Sequence, residues 1–290
     1  MSSSPTPPSP QSHYENFPVA SWLCPPRLRP PIAAIYWFAR TADDIADEGD
    51  ATPEQRLADL ATYRNDLFAV AEGKAPSGRW SQVFTPLARA LAEFALPTQL
   101  LADLLDAFVQ DVRFTTSGRR YADDAELHDY CRRSANPVGR LLLHLYGIHD
   151  EASLAQSDQI CTALQLINFW QDVRVDASRN RWYVSQAAMR QFAVTDADFQ
   201  PDSHSENATK LIASHAYSAR AGMQKGSQLA LQIPGRAGWE LRLVVQGGLR
   251  ILDKIEALNF QTWRTRPKIG ALDLPVLLWR ALRMSSTPHP

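Results

Sequence analysis

The chain has 290 residues, of which 45% are hydrophobic and 21% are charged, and its net charge is -1. This composition supplies a core for one large domain or two small ones, and it gives no electrostatic reason to expect a nucleic-acid partner. The three cysteines, Cys24, Cys131 and Cys161, lack metal-ligand spacing, so a reducing, cytoplasmic compartment is expected.

The two ends of the chain show no targeting pattern. Residues 1–12, MSSSPTPPSPQS, are rich in Ser and Pro without a basic or apolar stretch, which predicts a disordered tail and not a signal peptide. No apolar run reaches the roughly 18 residues that a membrane span needs. Residues 270–284, GALDLPVLLWRALRM, are short and amphipathic. A packed terminal helix is the favoured interpretation, and docking on the inner face of a membrane is the alternative.

Helical periodicity dominates the rest of the chain, and no convincing alternating strand is present. Pro30-Pro31 suits the first turn of a helix, whereas Asn136-Pro137 should kink or break one. No Pro/Gly linker and no long repeat divides the chain, so residues 13–284 are predicted to form a single all-α domain, with 285–290 as a tail. The predicted helices cover 31–48, 53–73, 82–95, 97–114, 123–147, 155–178, 206–232, 238–260 and 272–284.

The first predicted helix carries a polar stripe on an apolar background. Tyr36, Arg40, Asp43 and Asp47 are spaced by four, three and four residues, which places them on one face. A helix that is apolar nearly all round is buried, so this stripe must face a cavity. Residues 43–50 hold five acids at the C-terminal end of the helix, where the helix dipole disfavours them. A bound cation would relieve that arrangement.

A second stripe follows the same logic on the sixth predicted helix. Gln165, Asn168, Asp172 and Asp176 are spaced by three, four and four residues, among apolar neighbours. If the two stripes face each other, their carboxylates converge, and hard oxygen ligands of that kind select Mg²⁺ together with a phosphate group.

Two ordinary explanations compete with a metal site. Acid clusters usually form solvated faces, and for either stripe alone this explanation is as good as a functional one. The pair, both at helical spacing and both in aromatic-rich surroundings, favours function. A buried salt-bridge network would need more matching cations than Arg40 and Arg174.

These residues resemble the squalene/phytoene synthase family, which has the all-α isoprenoid synthase fold. The family's first motif, Y-x-x-x-R-x-x-D-[DE]-x-x-D, is matched by Tyr36, Arg40, Asp43, Asp44 and Asp47. Its second, Q-x-x-N-x-x-[RQ]-D-x-x-x-D, is matched by Gln165, Asn168, Gln171, Asp172 and Asp176. Residues 180–183, NRWY, partly meet a G-R-x-Y element, and residues 130–139 match Y-C-x(6)-V-G. The resemblance runs from about residue 13 to 270.

Within the family, the stretches HYENFPVAS, NFWQD and YCRRSANPVGRLLLHLYG look most like the bacterial hopanoid-pathway branch of hydroxysqualene synthases. That branch converts presqualene diphosphate and water into hydroxysqualene and diphosphate. Two departures bear on this assignment. Gln171 stands where many members have Arg, and Arg132 and Arg133 stand where a second tyrosine is usual. The arginines argue against head-to-head condensation and for diphosphate ionisation, although an exposed helix face explains them equally well.

The resemblance implies roles for the matched residues. Two or three Mg²⁺ ions that bridge the diphosphate, with no NADPH, are expected on Asp43, Asp44, Asp47, Asn168, Asp172 and Asp176. The catalytic set is expected to be Asp43, Asp47, Asp172, Asp176 and Arg40. Substrate contacts are expected from Tyr36, Arg40, Gln165, Asn168, Gln171, Arg181, Tyr183, Arg132 and Arg133. A basic stretch at Arg264, Arg266 and Lys268 could add to them or be a solvated loop. Most of the aromatics Phe17, Trp22, Trp37, Phe38, Phe108, Phe169 and Trp170 should be core.

Two alternative functions stay open. One is the condensation of two farnesyl or geranylgeranyl diphosphates to presqualene diphosphate, squalene, dehydrosqualene or phytoene. The other is a catalytically inactive relative that serves in binding or assembly, which the two intact aspartate pairs disfavour. The expected partner is a prenyl diphosphate and not a nucleic acid, with membrane contact for product release and neighbouring-pathway enzymes as further partners.

Overall fold

The computed structural model describes residues 24–285, and these residues form α-helices, short 3-10 turns and loops without any strand. The predictions for the two tails, and for Phe17 and Trp22, lie outside this range. Short 3-10 turns cover Asp196–Phe199 and Ala271–Asp273. The helices of the described residues are α1 Arg29–Asp47, α2 Pro53–Ala71, α3 Ser81–Phe94, α4 Thr98–Ser117, α5 Asp124–Ser134, α6 Asn136–Leu145, α7 Glu151–Ser178, α8 Gln186–Gln191, α9 Glu206–Gly226, α10 Leu229–Gln232, α11 Gly235–Ala257 and α12 Leu274–Arg283.

The all-α prediction is confirmed, and each predicted helix is present within a few residues of its expected bounds. The fifth breaks between Ser134 and Asn136 into α5 and α6, as Pro137 requires. The helix predicted over 206–232 ends at Gly226, and a separate turn, α10, follows. The sequence prediction missed α8 because its six residues are too few to show a period.

Side-chain caps set several helix starts. Thr52 and Gln55 form a reciprocal capping box at the start of α2. Asp150 accepts a hydrogen bond from the Ser153 amide, and this cap starts α7 at Glu151, before the predicted position 155.

The helices bury two apolar clusters. In the first, α1 to α4 pack around the aromatic rings of Phe38, Tyr63 and Phe84. In the second, α7, α9 and α11 surround Trp170, and Trp263 is buried with them. Helix α4 packs against α1, α5 packs against α7, and α4 and α5 pack against each other, so this pair joins the two halves. The two helices with the aspartate motifs, α1 and α7, are thereby placed on either side of α4 and α5.

Helices α7 and α9 share the most extensive helix contact in the described region. Gly226, at the end of α9, meets α7 without a gap: a Cβ there would lie 2.6 Å from the Gln156 carbonyl oxygen. This close approach fixes the position of α7, which carries the second motif.

Candidate active site

The first aspartate motif lines a cavity of about 650 Å³. Helix α1 buries Ile35, Phe38 and Ala42 on one side. Arg40, Asp43 and Asp47, which lie on another face, reach the cavity wall, as the stripe predicted. Tyr36 lies one turn before Arg40 on that stripe and is partly buried.

Arg40 holds the acids of the first motif together. Its guanidinium pairs with Asp43 at 3.2 Å, Asp44 at 2.7 Å and Glu48 at 2.9 Å. Burial nevertheless raises the pKa of Asp43, which Arg40 only partly offsets. One arginine is thus too little positive charge for these carboxylates.

Arg181 connects the segment after α7 to the first motif. Its guanidinium donates to Asp47, and Arg179 lines the same cavity. The structure therefore places Arg181 in the wall of this cavity, next to Asp47.

Tyr183 lies farther in, against a wall of aromatic rings. Its ring stacks on Phe169 with centroids 3.7 Å apart and also packs near Tyr121 and Tyr130. Burial and the charge of Asp111 raise its pKa well above the usual value, so its phenol stays protonated. Of the aromatics expected in the core, Phe38, Phe169 and Trp170 are buried, whereas Trp37 and Phe108 are partly buried.

The second motif lies along α7. Asn168 donates to Asp172 at 3.2 Å, and Gln165 lies one turn earlier, partly buried. Two guanidinium nitrogens of Arg266 donate hydrogen bonds to the Asp172 carboxylate. The longer of the two is 3.0 Å, from Nη2 to Oδ2. Burial and the neighbouring Asp172 raise the pKa of Asp176 to about 7. Arg266 thus contacts the second motif, whereas Arg264 bonds to His204 and Gln261. Lys268 is exposed.

Asp111 on α4 is a carboxylate that the sequence reasoning missed. It is 9% exposed and accepts a hydrogen bond from the Tyr130 hydroxyl at 2.7 Å. Burial raises its pKa to about 7, and the charges of Asp43 and Asp176 add to that increase. The pKa of Asp111 therefore depends on the charges of both motifs. A usable signal existed, because Asp111 continues the buried face that Leu101, Leu104 and Ala107 occupy.

The substrate contact predicted for Gln171 is corrected by its surroundings. The side chain is 1% exposed and donates from Nε2 to the Pro267 carbonyl at 2.6 Å. Its place on α7 turns it away from the Asp172 face and toward the segment that carries Arg266. Gln171 therefore anchors that segment and does not line the cavity.

The arginine pair after Tyr130 divides into two different environments. Arg132 is 59% exposed and bonds to Asp129, so the exposed-face explanation holds for it. Arg133 is 17% exposed, donates to Gln110 at 2.6 Å and lines a second cavity of about 630 Å³. Pro53 and Thr116 line both cavities, so the second lies beside the first.

The carboxylates of the two motifs converge less tightly than the sequence predicted. Within residues 24–285, no group of three His, Cys, Asp or Glu side chains is close enough to hold an ion by itself. Asp47 is paired with Arg181, and Asp172 is paired with Arg266. The other three carboxyl groups, Asp43, Asp111 and Asp176, have raised pKa values. This surplus of negative charge on hard oxygen donors fits Mg²⁺ ions that take their other ligands from diphosphate and water.

Between residues 24 and 285, no helix combines the length and the apolarity that a membrane crossing requires.

Known proteins are similar to this chain in sequence and in fold. The profile of the squalene/phytoene synthase family matches residues 11–273. A hydroxysqualene synthase from Sinorhizobium fredii is 32% identical over 280 residues, covering 96% of this chain and 91% of that protein. A presqualene diphosphate synthase from Rhodopseudomonas palustris is 27% identical, covering 95% and 98%. The crystal structure of a squalene synthase from Alicyclobacillus acidocaldarius aligns with a TM-score of 0.77 at 34% identity, covering 87% of this chain and 91% of that one.

Proposed function

The chain belongs to the squalene/phytoene synthase family of enzymes acting on prenyl diphosphates, and from this premise we propose that it ionises presqualene diphosphate with Mg²⁺. Water captures the resulting cation, which yields hydroxysqualene and diphosphate. The observation that carries the proposal is the cavity on which Arg40, Asp43, Asp47 and Arg181 converge, together with Asp111, whose pKa responds to the charges of both Asp43 and Asp176.

The arginines supply the donors for the diphosphate. Arg40 and Arg181 line the cavity and pair with carboxylates of the first motif. Arg266 pairs with Asp172 of the second motif. Guanidinium groups bind phosphate oxygens with two parallel hydrogen bonds, so these side chains can exchange a carboxylate for the diphosphate. Tyr36, Gln165 and Asn168 add neutral polar groups on the same stripes.

The aspartates of the two motifs would hold the ions. Asp43, Asp44 and Asp47 on α1, with Asn168, Asp172 and Asp176 on α7, form the expected set for two or three Mg²⁺. Bound Mg²⁺ neutralises the oxygens of the departing diphosphate and so makes it a better leaving group.

The reaction balances without a reductant. The carbon–oxygen bond to diphosphate breaks with both electrons leaving on oxygen, and the cation left on the C30 skeleton forms a new bond to a water oxygen. The proton lost from that water passes to the released diphosphate. Nothing is reduced, so no NADPH is needed.

The second candidate is condensation of two farnesyl diphosphates, which the similarity to a presqualene diphosphate synthase favours. Arg133 opposes it, because a guanidinium stands where condensing relatives carry a tyrosine. An inactive relative is disfavoured by the two complete aspartate pairs.

Purified protein supplied with Mg²⁺ and each diphosphate in turn separates these candidates. With presqualene diphosphate in H₂¹⁸O and no NADPH, we expect hydroxysqualene that carries ¹⁸O, detected by mass spectrometry. Consumption of farnesyl diphosphate but not of presqualene diphosphate would establish condensation instead, and turnover of neither would indicate an inactive relative.

The metal assignment has its own control. Asp43→Asn combined with Asp172→Asn should abolish turnover, because both halves of the ion site lose a charge. Asp50→Asn removes an exposed acid just past α1 and should leave turnover unchanged. Unchanged turnover in the double variant rejects the assignment.

The product is a C30 alcohol with very little water solubility. We expect it to form in the cytoplasm and to pass either to a neighbouring-pathway enzyme or to an apolar phase.

A further inference from the structure

Helix α12 turns a row of large apolar side chains toward solvent. Leu272, just before the helix, is 93% exposed, and the other four are more than half exposed. Elsewhere in the described residues, large exposed apolar side chains such as Phe68 and Trp239 are scattered singly, which is ordinary for a surface. The five side chains of this group, the α12 face, are Leu272, Leu274, Leu278, Trp279 and Leu282.

The helix that carries this face is firmly attached. Leu277 and Ala281, on its other side, are buried, and α12 packs on α11. The buried Asp273 carboxylate fixes the turn that leads into α12. It forms ion pairs with Arg250 at 2.8 Å and Lys254 at 2.7 Å, and it accepts a hydrogen bond from the Gly270 amide at 2.7 Å. The outward direction of the α12 face is therefore set by packing.

The exposed residues form one stripe with aromatic and basic flanks. Leu274, Leu278 and Leu282 recur every fourth residue, which places them along one side of the helix. The Arg283 guanidinium lies 4.6 Å from the centre of the Trp279 ring. Leu, Trp and Arg in this arrangement are the composition of helices that lie in the plane of a membrane interface, where Trp and Arg reach the headgroups.

The charge next to the face is basic on balance. From Leu272 to Pro290 the chain has two arginines and one acid, Asp273, whose carboxylate is buried and paired with Arg250 and Lys254. Arg280 is held by Asp253 at 2.5 Å, whereas Arg283 has an aromatic ring for its neighbour. A basic edge on an apolar stripe complements anionic lipid headgroups. A symmetric contact between two copies of the chain would instead bring the same basic edges together.

We propose that the α12 face docks this protein on the surface of an anionic bilayer, with α12 lying in the interface and not crossing it. Apolar burial of the leucines provides the attraction, and Arg283 selects negatively charged lipid. The segment 267–273 joins this helix to Arg266, which pairs with Asp172, so the docking helix follows directly after the segment that contacts the second motif. The docking goes beyond the proposed reaction and does not depend on it.

Vesicle flotation of the full chain without substrate tests the docking. Binding is compared between phosphatidylcholine vesicles and vesicles that also contain phosphatidylglycerol, for the wild type and for Leu278→Ser with Leu282→Ser. We expect the wild type to prefer the anionic vesicles and the variant to bind them at least about tenfold more weakly. The control is Phe68→Ser with Tyr217→Ser, two exposed ring residues on other helices, which should bind like the wild type.

A charge variant and a size measurement complete the test. Arg283→Glu should weaken binding to anionic vesicles several-fold while neutral vesicles see little change. Equal binding by the leucine variant and the wild type, or no wild-type preference for anionic lipid, would overturn the proposal. A wild-type dimer that the leucine variant turns into a monomer in light scattering would overturn it too, by assigning the face to a second copy. Turnover of detergent-dispersed substrate should be unchanged in all these variants, so failure here is distinct from failure of the proposed reaction.

Discussion

Arg181 donates a hydrogen bond to Asp47 across 134 positions of sequence, and this contact joins the segment after α7 to the end of α1. The same arginine lines the cavity beside Arg40 and Asp43. Arg181 thus neutralises one of the carboxylates that the proposed ion site needs. In the proposed reaction, it would exchange Asp47 for a phosphate oxygen or bridge both.

Replacement of Arg181 should therefore impair diphosphate binding. We expect Arg181→Ala to lower kcat/KM by roughly 10- to 100-fold, which corresponds to the loss of a charged hydrogen bond. Arg181→Lys should lower kcat/KM less than Arg181→Ala does, because lysine keeps the positive charge. It should still fall below the wild type, because lysine cannot form two parallel hydrogen bonds. Steady-state kinetics measure both, with the exposed Arg190→Ala as the control. Wild-type kinetics in Arg181→Ala would remove this residue from the site.

The buried carboxyl of Asp111 should make stability depend on pH. Its pKa is raised from 3.8 to about 7, so folding favours the protonated form. This contribution to stability is fully present below about pH 4 and is lost as the pH rises through about 7. In metal-free buffer, we expect the free energy of unfolding of the wild type to fall between about pH 5 and pH 8 by about 2 kcal/mol more than that of Asp111→Asn.

Urea titrations at the two pH values measure that difference. Asparagine keeps an acceptor for the Tyr130 hydroxyl, so the variant isolates the charge from the hydrogen bond. Parallel pH profiles for wild type and variant would contradict a buried, titrating Asp111.

Gln171 should act on the site through Arg266. Gln171→Leu keeps the apolar bulk but leaves the Pro267 carbonyl without its donor, which costs about 1–2 kcal/mol of folding stability. Because the loosened segment carries Arg266, KM for the diphosphate should rise while kcat changes little. The variant Arg266→Ala provides the comparison.

The double variant then distinguishes positioning from packing. If Gln171 acts through Arg266, adding Gln171→Leu to Arg266→Ala raises KM no further. Independent, additive effects on KM would show that Gln171 has only a structural role.

The contact between α7 and α9 should tolerate a methyl group at Gly222 but not at Gly226, one turn later in α9. A Cβ at position 226 would lie 2.6 Å from the Gln156 carbonyl oxygen, which belongs to backbone and cannot move aside, so Gly226→Ala should destabilise the fold by about 2 kcal/mol or more. Gly222 has its nearest neighbour at 3.7 Å, so Gly222→Ala should be neutral or slightly stabilising. Thermal denaturation measures both, and equal melting temperatures would refute the close approach.

Particular residues show how far sequence reasoning reached and where it stopped. The stripes of α1 and α7 were predictable because helical spacing alone puts Asp43 and Asp47, or Asp172 and Asp176, on one face. Gln171 was misinterpreted as a substrate contact because it adjoins Asp172 in the motif. The direction of its side chain depends instead on the course of the segment after residue 260. Arg132 and Arg133 are adjacent in sequence, yet only Arg133 lines a cavity.

The sequence by itself determined the all-α fold, the two aspartate helices and the family, since each depends on periodicity and motif spacing along a single segment. Tertiary structure alone decided which charges meet. Arg181 reaches Asp47, Arg266 reaches Asp172, and the charge of Asp111 acts on both motifs, through contacts between helices far apart in the chain. Coulombic interaction and burial depend on distance in space, and a linear pattern carries no information about it.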